Sequence, residues 1–223
     1  MSTADKLTQI AENVQRVYDA GYEKGKSEGG GGGNGTLVCA LIEANQENAF
    51  RAIQEAEVSF PNAETVDYAG FMECFELRKV DLPIATTIDK QAFQGCRELT
   101  DVNMPEVLTI GAAAFAKCYS LTRVDLPKCV SIDDEAFQSC MNLSTLILRD
   151  TSQVCVINSV TVVLDTKIIN SYWSPTGEGF IYVPASMFEM YRSVYEPGFE
   201  QLGAAGLFDI IFRKIEDYPE ICG

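Results

Sequence analysis

Residues 88–105 read Ile88-Asp-Lys-Gln-Ala-Phe93-Gln-Gly-Cys96-Arg-Glu-Leu99-Thr-Asp-Val102-Asn-Met104-Pro105, and the placing of their apolar residues decides the fold. Working outward in both directions, the same positions return every 22 residues. Phe71, Phe93, Phe115 and Phe137 form one series, and Cys74, Cys96, Cys118 and Cys140 follow three residues behind. Leu77, Leu99, Leu121 and Leu143 come next, then Val80, Val102, Val124 and Leu146, then Leu82, Met104, Leu126 and Leu148. Pro83, Pro105 and Pro127 close three units, and Val66, Ile88, Ile110 and Ile132 keep the period upstream. One period further back, Val58, Phe60 and Pro61 retain the end of a unit whose other anchors are gone. Such a degenerate unit suits a cap, which has no neighbour on one side.

A 22-residue unit lies in the leucine-rich-repeat range and is long enough for a short strand, a turn and one helical segment. The segment L-x-x-V-x-L-P reads as the strand, because Val and the second Leu alternate inward and Pro blocks continuation. The Ala-Phe pair before Cys predicts a short helix or 3₁₀ turn on the opposite wall. Stacking places like residues in columns, so several units together bury a face that one unit cannot. The expected fold class is therefore an α/β repeat, a leucine-rich-repeat solenoid with an N-terminal helix and a C-terminal α/β cap. The spaced cysteines read as small apolar rungs and free, buried thiols. Rungs about 5 Å apart with parallel Cβ vectors suit neither a disulfide, which needs Cβ atoms about 3.5–4.5 Å apart, nor a tetrahedral zinc site. Cys39, Cys129, Cys155 and Cys222 fall outside the column.

The pattern I-x-x-x-A-F-x-x-C-x-x-L-x-x-V-x-[LI]-P resembles the BspA-like leucine-rich repeat family, over residues 66–148 and more weakly over 50–65. That family includes surface adhesins and phage proteins. Two end segments resemble repeat proteins encoded in phages of intestinal bacteria: the opening KLTQIAENVQRVYDAGYEKGK and the later FIYVPASMFEMY. The chain departs from those proteins in its glycine-rich linker and in lacking an aromatic-rich region after the first helix.

The organisation expected is an oligomerising helix over residues 1–28, a Gly-rich linker over 29–35, an N-terminal cap with the degenerate repeat over 36–65, the repeats over 66–150, and a C-terminal cap over 151–223. Asp5 or Thr3 can cap the first helix, whose Leu7, Ile10, Val14 and Val17 alternate by three and four as in a coiled-coil seam. The linker is a tether with a reach of roughly 13–16 Å, which favours oligomerisation or docking by that helix over packing on its own solenoid. It is no phosphate loop, since no Lys-Ser/Thr follows it. Residues 154–170 are β-rich, and Phe180-Ile-Tyr-Val-Pro184 reads as a last repeat strand. Residues 185–196 read as an amphipathic helix capped by Ser186 and Glu189, burying Met187, Met190, Tyr191 and Val194. Residues 207–218 should supply a closing strand.

The 223 residues carry a net charge of −15 with only 17 Lys and Arg, which argues against nucleic acid or an anionic membrane as partner. No run of 18 apolar residues occurs, so no membrane insertion is expected. The opening residues lack a secretory signal, so either the chain folds in a reducing cytoplasm or a leader has been removed. With no histidine, Ser-His-Asp and Cys-His catalysis as usually built are excluded. The adjacent pairs Asp133–Asp134 and Glu216–Asp217 cannot face each other across a cleft as a glycosidase requires. Asp133 and Asp134 read instead as acidic residues at the N-terminus of the short Phe137 helix. No enzyme activity, cofactor or metal is expected.

Beside the inward Val of each repeat strand, two columns point outward: Lys79, Asp101, Arg123, Thr145 and Asp81, Asn103, Asp125, Ile147. Lys79, Asp81, Asp101, Asn103, Arg123, Asp125 and Thr145 are the candidate binding residues. They form either a surface for a polar polymer or protein, or a solvated face whose alternation avoids like-charge contacts. Trp173, Tyr172, Tyr182, Tyr191 and Tyr195 either stack on sugars or fill the cap core. Taken with the resemblance, these readings imply a virion-associated binding or structural protein, assembled in the bacterial cytoplasm and placed at a phage tail or other external site. Its partners would be copies of itself, with a trimer among the states, and other virion proteins or a bacterial surface protein or glycan. The rivals are a cell-surface adhesin of the BspA-like type, a hydrolase of surface glycans, and a spacer without ligand.

Overall fold

A computed structural model describes residues 57–60, 63–170, 175–201 and 206–222. The helix expected over residues 1–28 with Leu7, Ile10, Val14 and Val17, the Gly-rich linker, most of the N-terminal cap, and Tyr172 and Trp173 lie outside the described residues.

Two parallel ladders run along the molecule, built from twelve strands numbered in chain order. Glu57–Ser59 (β1), Lys79–Asp81 (β3), Asp101–Asn103 (β5), Arg123–Leu126 (β7), Thr145–Leu148 (β9), Phe180–Val183 (β11) and Phe212–Lys214 (β12) form the sheet side. Thr65–Val66 (β2), Thr87–Ile88 (β4), Thr109–Ile110 (β6), Ser131–Ile132 (β8) and Val156–Ile157 (β10) form the second ladder. On the sheet side β1-β3-β5 pair as one group and β7-β9-β11-β12 as another; the second ladder runs β2 to β10 without a break. Register follows the 22-residue period, with Val80 opposite Val102 and Val124 opposite Leu146. The V-x-L segments thus form strands as their alternation requires, and β1 places the degenerate unit on the solenoid opposite β3.

The Phe column is a stack. Ring centroids lie 5.1, 5.2 and 5.4 Å apart along Phe71, Phe93, Phe115 and Phe137, with planes within 10° of one another. Phe60 of the degenerate unit extends it, 5.3 Å from Phe71. The Cys and Leu columns are buried beside it, and Cys74, Cys96, Cys118 and Cys140 are free thiols. Three of these thiols also reach back to the neighbouring unit. Cys96 donates to the Phe71 carbonyl at 3.0 Å, Cys118 to Phe93 at 3.2 Å and Cys140 to Phe115 at 3.0 Å. The cysteine is a small apolar filler that also gives a second donor to a buried carbonyl already bonded to a backbone amide.

The wall carrying Phe is not helical, contrary to the expectation from its spacing. Two residues per unit take positive φ, at the positions two before and two after Phe: Gln91 and Gly95, Ala113 and Lys117, Glu135 and Ser139. These left-handed residues break any helix at once. Some amides close short turns, as Ala92 does to Asp89 and Gln94 to Gln91. The alternate amides cross to the next unit: Gln91, Phe93 and Gly95 donate to Ala112, Ala114 and Ala116 at 2.7–2.9 Å. The turns are thus stitched unit to unit, like the strands. Asp133 and Asp134 consequently stand at a turn rather than a helix start, and Asp133 accepts from the Asp134 amide and from Asn158 Nδ2.

All these crossing amides point toward the C-terminal end, where the last ones need acceptors. A 3₁₀ helix over Val160–Val163 and the residue after it provide them, Phe137 donating to the Val162 carbonyl and Ser139 to Leu164, both at 2.9 Å. The chain then returns to the sheet, where Ile181 of β11 stands opposite Leu146, 35 residues on rather than 22. Gly179 lets it turn in: a Cβ there would lie 2.8 Å from Ser144 Cα.

Phe188–Gln201 (α1) follows a 3₁₀ turn over Ala185–Met187. Its buried face is Phe188, Tyr191 and Phe199; Tyr191 and Met187 are buried as expected, whereas Met190 and Val194 are more than half exposed. No Ser186 side-chain cap forms, and the Ala185 amide instead donates to Glu216 at 2.8 Å. Leu207–Ile211 (α2) leads into β12, the expected closing strand, and Pro219–Cys222 (α3) ends the described chain.

Candidate recognition surface

The outer face of the sheet divides in two. On its first three strands the outward residues stand in water and organise one another. Lys79 Nζ lies 3.4 Å from the Asp101 carboxylate. Asp81 accepts from Ser59 Oγ at 2.8 Å and Asn103 Nδ2 at 2.6 Å. Those two donors hold the Asp81 carboxyl below the usual carboxylate range. The result is an open row of Ser59, Lys79, Asp81, Asp101 and Asn103 whose side chains are oriented by neighbours one rung away.

The rest of the face is covered by residues 218–222 of the same chain. Arg123 does not continue the charge alternation toward Asp101. It pairs with Asp125 on its own strand at 3.0 Å and donates from Nη1 to the Ile221 carbonyl. Arg149 grips Asp125 from the other side, Nε to Oδ1 at 2.8 Å and Nη2 to Oδ2 at 2.6 Å, and reaches the Cys222 carbonyl. The Asp125 carboxylate raises the Arg149 pKa further, so the guanidinium stays charged. Beside them Ile147, Tyr182 and Cys222 are buried in a small second core with Phe180, Ile215, Tyr218 and Ile221. Tyr218 meets Tyr182 edge-on at 5.5 Å, and Arg213 stacks over Phe180 at 4.2 Å. Thr145 stands half-buried opposite Phe180. Of the seven candidate residues, Lys79, Asp81, Asp101 and Asn103 are thus brought together and open, while Arg123 is engaged by α3 and Asp125 by Arg123 and Arg149.

Arg149 escaped the sequence reading, and Ile147 and Tyr182, though named there as an outward residue and an aromatic of the cap, were not read as one covered apolar patch. Part of the signal was present, since Ile147 interrupts a polar column; that Tyr182 stands beside it follows only from the register of β11.

Tyr191 and Tyr195 take the cap-core role rather than an exposed platform. Tyr191 Oη accepts from the Cys155 amide at 2.9 Å. Tyr195 Oη accepts from the Ile157 amide at 2.7 Å and donates to the Cys155 carbonyl at 2.7 Å. Both hydroxyls therefore clamp β10, the last rung of the second ladder. Burial pushes the Tyr195 phenol up to about 12 and raises Tyr191 as well. An apolar cavity of about 460 Å³ lies in this cap between Ile157, Ile181, Phe199 and Phe212, with Asn158 and Ser159 among its lining. Among the described residues no group of three or more Cys, Asp or Glu converges as a metal ion would need, and no helix is long and apolar enough to cross a membrane.

Residues 43–163 match the BspA type leucine rich repeat region (6 copies). Among solved structures the chain is similar to a leucine rich repeat protein of T. pallidum, at 24% identity and a TM-score of 0.44 over 60% of each chain. It is also similar to a leucine-rich repeat protein from Bacteroides ovatus ATCC 8483, at 19% identity and a TM-score of 0.39, covering 71% of this chain and 42% of that one. This chain therefore spans 60% of the T. pallidum protein's length. No curated protein matches the sequence. The matched repeat region takes up more than half of the 223 residues, and the chain belongs to the BspA type leucine-rich repeat family.

Proposed function

We propose that this is a non-enzymatic, virion-associated recognition protein, displayed at a phage tail or other external site and binding a bacterial surface protein or glycan through its sheet face. The observation that carries the reading is the open row of Ser59, Lys79, Asp81, Asp101 and Asn103, pre-oriented by its own hydrogen bonds. Pre-oriented side chains lose little further entropy on binding, which favours recognition of a polar, extended partner. Virion association is supported by the two end segments that resemble phage-encoded repeat proteins. Oligomerisation is supported by the Leu7, Ile10, Val14 and Val17 seam, placed ahead of a glycine tether.

The test compares the full chain with a variant carrying Lys79→Ala, Asp81→Ala, Asp101→Ala and Asn103→Ala on a bacterial glycan array and on immobilised host-surface proteins. Binding by the first and not the second supports the reading, whereas identical profiles refute it. Empty profiles for both favour a structural spacer, for which the mutual pairing of Lys79 with Asp101 also speaks. Mass photometry of the chain with and without residues 1–28 tests the stalk. An oligomer that collapses to monomer supports it, and a chain already monomeric refutes it.

A further inference from the structure

We propose that the covered half of the sheet face is a peptide-docking site whose resting occupant is the chain's own residues 218–222; this rests on reading the sheet face as the recognition surface. The site is built independently of its occupant. Asp125 holds both Arg123 and Arg149 by side-chain bonds of 2.6–3.0 Å, so both guanidiniums keep their aim when the turn is absent. What they offer the turn is recognition of main chain, through bonds to the Ile221 and Cys222 carbonyls. Such bonds accept any segment presenting two successive carbonyls in this geometry.

Side-chain selectivity comes from the apolar floor. Ile147 and Tyr182 are buried beneath the turn, outside the main solenoid core, and take Tyr218 and Ile221 as partners. If the turn lifts, Ile147 and Tyr182 are exposed on a flat sheet, and an incoming peptide covers them again at a gain in apolar burial. The partner chemistry is thus a short turn carrying an aromatic residue, then an aliphatic residue three positions later, with free carbonyls at its end. Because α3 competes in cis, the site's apparent affinity falls by the fraction of molecules in which the turn is seated.

The experiment uses the full chain and a labelled peptide of residues 217–223 carrying Cys222→Ser. Ile221→Asp weakens the seated turn without altering Arg123, Asp125, Arg149, Ile147 or Tyr182. Maleimide labelling mapped by mass spectrometry should show Cys222, buried in the native chain, reacting about ten-fold faster in this variant, while Cys96, Cys118 and Cys140 stay protected. The same variant should bind the peptide about ten-fold more tightly than the unaltered chain does. Adding Arg149→Ala should remove that gain. Faster Cys222 labelling without peptide binding overturns the proposal. Unchanged Cys222 labelling, or exposure of the core cysteines together with Cys222, overturns it as well, since the turn is then inseparable from the fold. Failure of the open-row binding test leaves this peptide assay unaffected, so the two readings fail separately.

Discussion

Replacing Phe115 by alanine tests the column that organises the molecule. The Phe115 ring is fully buried between Phe93 at 5.2 Å and Phe137 at 5.4 Å, nearly parallel to both. Removing a buried Phe side chain costs about 3–5 kcal/mol, from lost transfer energy and the cavity left behind. The upper part of that range applies here, because two ring contacts of about 0.5–1.5 kcal/mol each vanish together. The backbone around the hole resists collapse: Phe115 donates to the Ala136 carbonyl at 2.8 Å, and its own carbonyl accepts from Cys140. A loss of about 4–5 kcal/mol, divided by a urea dependence of about 2–3 kcal/mol per molar, lowers the denaturation midpoint by about 1.3–2.5 M. The control is Phe75→Ala, an exposed ring that lies 4.9 Å from the Arg97 guanidinium and whose loss should cost less than about 1 kcal/mol. Urea titrations followed by circular dichroism measure both. If the two substitutions cost the same, the stacked column is not what holds the units together.

Three further outcomes are expected. Tyr191→Phe leaves the buried Cys155 amide without its acceptor and should cost about 1–3 kcal/mol in the same titration; a change below about 0.5 kcal/mol contradicts the clamp. Gly179→Ala drives a Cβ into Ser144 Cα and should lower stability by about 1–3 kcal/mol, whereas an unchanged thermal midpoint would mean that β11 enters the sheet otherwise. Stability should also fall in alkali. The Tyr195 phenol is raised from 10 to about 12 in the folded chain, so its contribution is complete below pH 10 and is lost as the unfolded state ionises first between pH 10 and about 12. Tyr195→Phe should flatten that decline, and equal slopes in both chains would contradict it.

The sheet strands and the Phe, Cys and Leu columns were legible because burial repeats with the sequence, and each column has one chemical demand. The turn conformation of the Phe wall was not. Apolar residues three apart, as in Phe93, Cys96 and Leu99, suit a 3₁₀ helix as well as a stack of turns. The left-handed positions carry Gln91, Ala113, Lys117, Glu135 and Ser139, and glycine marks only Gly95 among these. What forces them is the ladder between units, a non-local term that outweighs local preference. The buried face of α1 was legible only in part, for a different reason. Met187 and Tyr191 of the expected stripe are buried, but Phe188, Tyr195 and Phe199 offer an equally regular continuation in place of Met190 and Val194, and the position of β10 selects it.

Capping also explains why the outer sheet face is split. The Phe wall must end where its forward-pointing amides meet acceptors, and the 3₁₀ segment after Ser159 supplies them. The sheet side has no such obligation, and β11 and β12 extend it two strands beyond the last Phe rung. Those added strands have no stacked turns behind them, so α1 and α2 supply their inner cover. The outer positions of β11 are aromatic: Tyr182 continues the column that Ile147 begins, and Phe180 stands beside Thr145 in the next column. An apolar outer face needs a cover just where the polar outer face stops, and α3 is that cover. Substituting Ile147→Thr, to carry the polar character of Asp81, Asn103 and Asp125 one rung further, should therefore release α3 without disturbing the Phe column. Faster labelling of Cys222 with unchanged protection of Cys118 is the expected result; loss of both protections together would mean that the two faces are one cooperative unit.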